Sequence, residues 1–245
     1  MKIKLYRISI AILIIILWQA LASFNIINSF LFSSPKDILV CLTHLLKNGI
    51  LFSNTITTLL EVTISSFISF GISFVLASFF INHNFIYNVF EPFLTVLNAL
   101  PKVALGPLII IIFGANFSSI IVMSILIGVF VTTINIYNYF KNTDYKYILL
   151  IKSFNGSKFD VFNYAIMGSN KENLIDAFNV NVSMTFIGTI MGELLVSKKG
   201  LGYLINYGTS NFNITLVITS IFILCILSYL IYIVLEFCHK KIIKR

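Results

Sequence analysis

Long unbroken apolar runs alternate with short polar stretches along this chain, and the length of those runs, rather than any strand-like alternation, sets the reading. A helix needs about 20 apolar residues to cross a bilayer. Runs of that kind begin at Ile8 and extend through Ile26-Ile27, then recur at Val62 to Ile81, Phe93 to Phe113, Phe117 to Tyr137, Asn173 to Leu195 and Phe212 to Cys238. A transmembrane β-barrel would alternate polar and apolar positions instead. The pattern predicts an all-α, polytopic membrane protein with about six transmembrane helices. Met1 to Arg7 is basic and Ala20-Leu21-Ala22 has the small-x-small form of a signal-peptide cleavage site. The apolar character continues past that point, which favours an uncleaved first span.

The polar stretches carry the individuality of the chain. Phe32 to Asn54 reads as an external segment, with Ser33-Ser34-Pro35 opening an amphipathic helix over Asp37 to Leu46. Gly71 and the serines of the second span permit close helix packing. The third span is broken by Pro101, Gly106 and Pro107 and carries Lys102. It either lines a protected interior or is a simple proline kink with a snorkelling lysine. Asp176, Asn179, Asn181, Ser183 and Thr185 make the fifth span unusually polar, so these residues should face other helices or a water path. Between the fourth and fifth spans lies a hydrated loop, Tyr145 to Lys171. In it Tyr147, Leu150, Ile151, Phe154 and Val161 recur at helical spacing among lysines, which predicts short amphipathic helices interrupted near Asn155-Gly156-Ser157. Such helices suit either a partner's groove or a lipid surface.

Composition agrees: of 245 residues 58% are hydrophobic and 11% charged, with a mean hydropathy of +0.96. A soluble core is excluded. The net charge of +8 does not point to nucleic acid, because the basic residues are scattered through loops and tails. They sort by topology instead. With the amino terminus in the cytoplasm, Lys2, Lys4, Arg7, Lys141, Lys146, Lys152, Lys158, Lys171, Lys240, Lys241, Lys244 and Arg245 fall inside, and Lys36, Lys47, Lys198 and Lys199 outside. Both termini and the hydrated loop are therefore expected in the cytoplasm. Cys41, Cys225 and Cys238 form no ligand pattern, the three histidines are isolated, and no P-loop occurs. No metal, cofactor or catalytic set is expected. The absence of a repeat or a Pro/Gly/Ser-rich linker suggests one domain over residues 1–245, with the loop at 141–172 inside it.

Several landmarks follow one another in order: Leu17-Trp18-Gln19-Ala20, Ser34-Pro35-Lys36-Asp37-Ile38-Leu39, Leu100-Pro101-Lys102-Val103-Ala104-Leu105-Gly106-Pro107-Leu108 with Phe113-Gly114, and Gly192-Glu193-Leu194-Leu195 followed by Gly200-Leu201-Gly202. Together they resemble the permease subunit of binding-protein-dependent ABC importers, in particular the nitrate, sulfonate and taurine group. The resemblance implies that Lys152, Ser153, Phe154, Asn155, Gly156, Ser157 and Lys158 form the centre of a coupling loop that docks on a cytosolic ABC ATPase subunit. It further implies an extracytoplasmic solute-binding protein, a homodimer in the lipid bilayer, and ATP hydrolysis on the separate subunit. Candidate path residues are Lys102, Asn179, Asn181 and Ser183. Glu193, Gly200 and Gly202 mark an external segment, where Glu193 either stabilises the fold or meets the binding protein. The substrate would be a small solute: nitrate, a sulfonate such as taurine, a similar anion or a vitamin precursor.

Departures from the group's pattern also stand out. Leu149-Leu150-Ile151 occupies the place of its Glu-Ala-Ala triplet, Asn155 that of a glycine, Met167-Gly168 that of Leu-Pro, and Glu61 that of an arginine. Asn155 is expected to keep the left-handed turn. Leu149 removes a charge from the docking helix. A self-contained secondary transporter or channel is the alternative, since broken spans and intramembrane polar groups serve those as well.

Overall fold

The computed structural model describes residues 2–24, 26–28 and 32–243. Its described residues are helical or irregular, in this order: α1 (Lys2–Ser23), α2 (Pro35–Lys47), α3 (Ile50–Asn82), α4 (Asn84–Ala99), a 3₁₀ turn (Lys102–Leu105), α5 (Gly106–Phe113), α6 (Phe117–Lys141), α7 (Tyr145–Ser153), a short helical turn (Lys158–Asp160) running into a π-helical stretch (Val161–Met167), α8 (Lys171–Val196), α9 (Leu201–Ser210) and α10 (Ile214–Ile243).

Four stretches among the described residues are long and apolar enough to cross a membrane: Ile50–Asn82, Phe117–Lys141, Lys171–Ser210 and Ile214–Lys241. The first expected span contributes the shorter apolar stretch Ile12–Ser23. The third is divided, because α4 stops before Pro101 and α5 restarts with Pro107 in its first turn, where a missing N–H costs nothing. α3 begins inside the segment expected to be external. Its 33 residues rise about 50 Å at ~1.5 Å each, well beyond the ~30 Å of a hydrocarbon core.

The chain forms two compact units. One comprises Met1–Thr58 and Glu193–Ser228, the other Leu59–Gly192 and Tyr229–Arg245. In the first, α2 starts as the sequence indicates: Ser34 is extended and its hydroxyl accepts from the Asp37 amide at 3.1 Å. Trp18 stacks on Phe222 with centroids 6.3 Å apart, and the Ser33 and Thr215 hydroxyls lie 3.0 Å from each other. In the second unit an aromatic core gathers Phe80, Tyr87, Tyr137 and Phe140 with Ala77, Leu94, Ile136 and Ala177. Tyr87 lies flat on Tyr137, and Phe74 meets Phe140 edge-on.

Candidate functional site

The hydrated loop is built from two caps facing each other. α7 is opened by Asp144, whose carboxylate accepts from the Lys146 amide at 2.9 Å. It is closed by a Schellman motif: the Gly156 amide donates to Ile151 O, the Asn155 amide to Lys152 O, and Asn155 sits at φ 55°. Asparagine thus does here what glycine does more often. Gly156 has no such freedom to vary, because a Cβ there would lie 2.5 Å from Ile151 Cγ2 and 2.8 Å from its carbonyl oxygen. The chain then restarts at Ser157, which forms a capping box with Asp160. Asp160 accepts from the Ser157 amide at 2.8 Å and hydroxyl at 2.6 Å, and these bonds hold its carboxyl below the ordinary aspartate range.

What anchors this loop also decides what it exposes. Phe162 packs edge-on against Phe140 with centroids 5.8 Å apart, Ala165 is buried, and the Asn170 amide donates to the Thr143 hydroxyl at 2.7 Å. Phe154 (78% exposed) and Phe159 (72%) are left in the open, with Tyr145, Tyr147, Leu149, Leu150 and Tyr164. Lys152, Ser153, Asn155, Ser157 and Lys158 are exposed around them and Gly156 is half-buried. An apolar surface of this kind suits either a partner protein or a lipid surface.

The path candidates are separated. Along α8, Asn179 and Ser183 are four residues apart and share a face, whereas Asn181 points to the other side. Ser183 is exposed and Asn179 half-buried. Asn181 is wholly buried and bonded at both ends of its amide: Oδ1 accepts from Ser69 Oγ at 2.8 Å and Thr132 Oγ1 at 3.1 Å, while Nδ2 donates to Ser66 O at 2.8 Å. For Lys102 the backbone lies in the 3₁₀ turn, and its side chain is outside the described residues.

Asn181 belongs to a ladder of small and hydroxyl-bearing residues joining α3, α6 and α8 within the second unit. Ser66 Oγ lies 2.7 Å from Thr185 Oγ1, Ser124 Oγ donates to Thr185 O at 2.6 Å, and Ser73 Oγ donates to Val129 O at 3.0 Å. Glycines complete it. A Cβ on Gly188 would lie 2.6 Å from Ser124 Cα, and one on Gly128 would lie 2.7 Å from Ser69 Oγ. Small residues three or four apart bring helix backbones together in lipid, where burying apolar surface supplies no drive. Sequence reasoning found the serines of α3 and the polar Asn181 and Thr185 of α8 without pairing them, and passed over Ser124, Gly128 and Thr132 of α6. Gly71, which it also assigned to close packing, faces open space. The missed signal was the spacing Ser124, Gly128, Thr132 on α6 and Asn181, Thr185, Gly188, Gly192 on α8.

Glu193 resolves differently, inside the first unit. Its carboxylate is fully buried, with Oε1 accepting from Thr58 Oγ1 at 2.6 Å and Oε2 from the Gly202 amide at 2.6 Å. The Leu201 amide donates to Thr58 Oγ1 at 2.9 Å and the Gly200 amide to Asn54 Oδ1 at 2.7 Å. A carboxylate therefore sits at the amino end of α9, where the orphan N–H groups and the helix dipole favour it. Gly200, at φ 107°, must lack a side chain, since a Cβ would lie 2.2 Å from Glu193 Oε1. Asn54 and Thr58 were not singled out from the sequence, because Asn54 ends the segment expected to be external and Thr58 falls between that segment and the expected second span. Among the described residues no group of three or more His, Cys, Asp or Glu could hold a metal ion.

Comparison with known proteins gives these features a family. Residues 68–245 match the family described as "Binding-protein-dependent transport system inner membrane component". A probable ABC transporter permease protein of Haemophilus influenzae is 28% identical over 245 residues, covering 99% of each chain. The formylaminopyrimidine transport permease protein ThiX of Halalkalibacterium halodurans is 25% identical over 89% of this chain and 87% of its own. The putative aliphatic sulfonates transport permease protein SsuC of Bacillus subtilis is 22% identical over 78% and 70%. In fold, the chain is similar to one chain of the MetNI methionine ABC transporter in an inward-facing conformation, with a TM-score of 0.66 at 18% identity over 77% of this chain and 92% of that one. The chain belongs to the binding-protein-dependent transport system inner membrane component family and is an ABC importer permease subunit, a multi-pass membrane protein.

Proposed function

We propose that this permease provides the translocation path for a small solute and is driven through the loop at 141–172 by a separate ABC ATPase subunit. The observation that carries the reading is the loop itself: a doubly capped turn that leaves Phe154 and Phe159 exposed, with Lys152 and Lys158 exposed close by in the chain. Such a surface suits a groove on a partner, with the phenyl rings as anchors and the ammonium groups at a wet rim. Leu149 is exposed in the same patch, so docking here rests on apolar contact where the related group has an acid.

In this reading residues 1–245 are a single permease domain of about six spans with both termini cytoplasmic, α1 and the α4–α5 pair supplying the first and third. The protein works as a homodimer with an extracytoplasmic solute-binding protein, and nucleotide is bound and hydrolysed by the partner ATPase. The Asn179 and Ser183 face of α8 lines the path, with Lys102 near the break between α4 and α5, while Asn181 holds the helices that frame it. Glu193, Gly200 and Gly202 fix the external segment. Relatives named for a formylaminopyrimidine, aliphatic sulfonates and, in Chloroflexus aurantiacus, riboflavin support a substrate among small anions and vitamin precursors.

The test is co-expression with candidate ABC ATPases from the same source, followed by detergent pull-down. The intact chain should retain one ATPase, and the double variant Phe154→Asp, Phe159→Asp should lose it while still inserting into the membrane. Retention by the double variant would overturn the assignment of the loop. Substrate uptake by the reconstituted chain alone would favour an autonomous transporter.

A further inference from the structure

Within the first unit a groove of about 710 Å³ runs between α1 and α2, lined by Ile15, Ile16 and Ala20 on one side and Leu39 and Val40 on the other, with Gln19, Ser23, Pro35 and Lys36 completing the wall. The groove is preformed, because Gln19 ties the two helices together: its Oε1 accepts from the Lys36 amide at 3.0 Å and its Nε2 donates to Ser23 Oγ at 3.1 Å.

We propose that this groove holds one anionic phospholipid, with an acyl chain along the apolar wall and the phosphate on the Lys36 ammonium. Three observations select that occupant. The lining is almost entirely hydrocarbon in a chain that lives in a membrane, so the groove fills with chains rather than water. Its polar groups are Gln19, Ser23 and Lys36, three neighbouring residues joined through the bonds just described, and this segregation matches an amphiphile. The one formal charge in the lining is positive, and Lys36 is exposed. The neighbouring Asp37 is not part of the lining, and its carboxylate is turned to the Ser34 hydroxyl, from which it accepts at 2.7 Å. A protein helix is a poorer fit. A helix without an acid facing Lys36 would bury that ammonium unpaired, and a buried unpaired charge is costly.

This inference needs only that the chain is embedded in lipid, and does not depend on how it couples to ATP. The full-length protein, purified in a mild nonionic detergent, would be titrated with phosphatidylglycerol and with phosphatidylcholine of matched chains and followed by native mass spectrometry. One phosphatidylglycerol should be retained per chain, about fivefold more tightly than phosphatidylcholine, the size of one lysine's attraction to an anionic lipid. Lys36→Gln should erase that preference while leaving phosphatidylcholine binding unchanged. Leu39→Trp, which fills the groove, should lower retention of both lipids, with the helical circular dichroism of each variant matching the parent. Equal retention of the two lipids by the parent, or phosphatidylglycerol retention untouched by either substitution, would overturn the proposal. So would a Val40→Cys variant that oxidises to a disulfide-linked dimer, because a second copy would then be the occupant.

Discussion

The helix ladder and the hydrated loop treat polar and apolar groups in opposite ways. In the ladder, Ser66, Ser69, Ser124, Thr132, Asn181 and Thr185 are buried and bonded to one another or to backbone, and apolar side chains are turned out toward lipid. In the loop the caps are polar and phenyl rings stand in the open. A membrane helix gains nothing by hiding hydrocarbon from lipid, so its specificity must come from hydrogen bonds and close approach. A loop in water gains by hiding hydrocarbon, and leaving it exposed preserves that gain for a partner. The ladder is thus where stability resides, and in the proposed function the loop is where recognition is held in reserve.

Changing volume in the ladder should break this contrast most severely. Gly188→Val would force its Cβ into the Ser124 backbone 2.6 Å away. Overpacking of that kind costs about 3 kcal/mol, which lowers the melting temperature of a chain this size by roughly 6–12 °C. A thermal melt in detergent measures it. The double aspartate variant of the loop should melt within about 2 °C of the parent, as surface changes do. Equal destabilisation by the two would erase the division between the regions.

A middle-sized effect should separate the two faces of α8. Asn181→Leu removes three hydrogen bonds and takes away the acceptor of the Ser69 and Thr132 hydroxyls, at a cost of about 2 kcal/mol. Asn179→Leu should leave the melt almost unchanged, and uptake by the assembled transporter should fall by an amount its protein level does not explain. If Asn181→Leu instead kept full stability and lost uptake, the path would run along the other face.

The smallest effect concerns protons. The Asp160 carboxyl is held below its ordinary range by Ser157, so its contribution is complete above the unfolded value near 3.8 and is lost as pH falls through the lower folded value. Amide exchange at Ser157 and Asp160 should therefore lose protection in strongly acidic buffer relative to pH 6, and Asp160→Asn should show the weakened state already at pH 6. An exchange rate indifferent to both would remove the capping box from the account.

Much of this was legible in the residue order. Length and apolarity placed the helices, Pro101 and Pro107 placed the break, and Asn155-Gly156-Ser157 placed the turn, because each of those features acts within a few residues of itself. The missing parts are those in which distant segments meet. Thr58 and Glu193 are 135 positions apart, and nothing local to Thr58 distinguishes it from any threonine near a helix start. Asn179, Asn181 and Ser183 were grouped by proximity in the chain, while a helix sorts them by angle. Gly71 shows the converse error, since a small residue permits close approach but cannot by itself supply a neighbour.

Closely spaced backbones also have mechanical meaning. Where Gly128 and Gly188 leave no room even for a methyl group, α3, α6 and α8 have no slack along the ladder, and a force applied to one is felt by all three. The loop is fastened to this assembly through Phe162 on Phe140 and Asn170 on Thr143, at the end of α6. A push on the loop would therefore arrive as torque on a stiff block rather than dissipate as local bending, and the chain would respond by turning as a gear does instead of flexing as a spring.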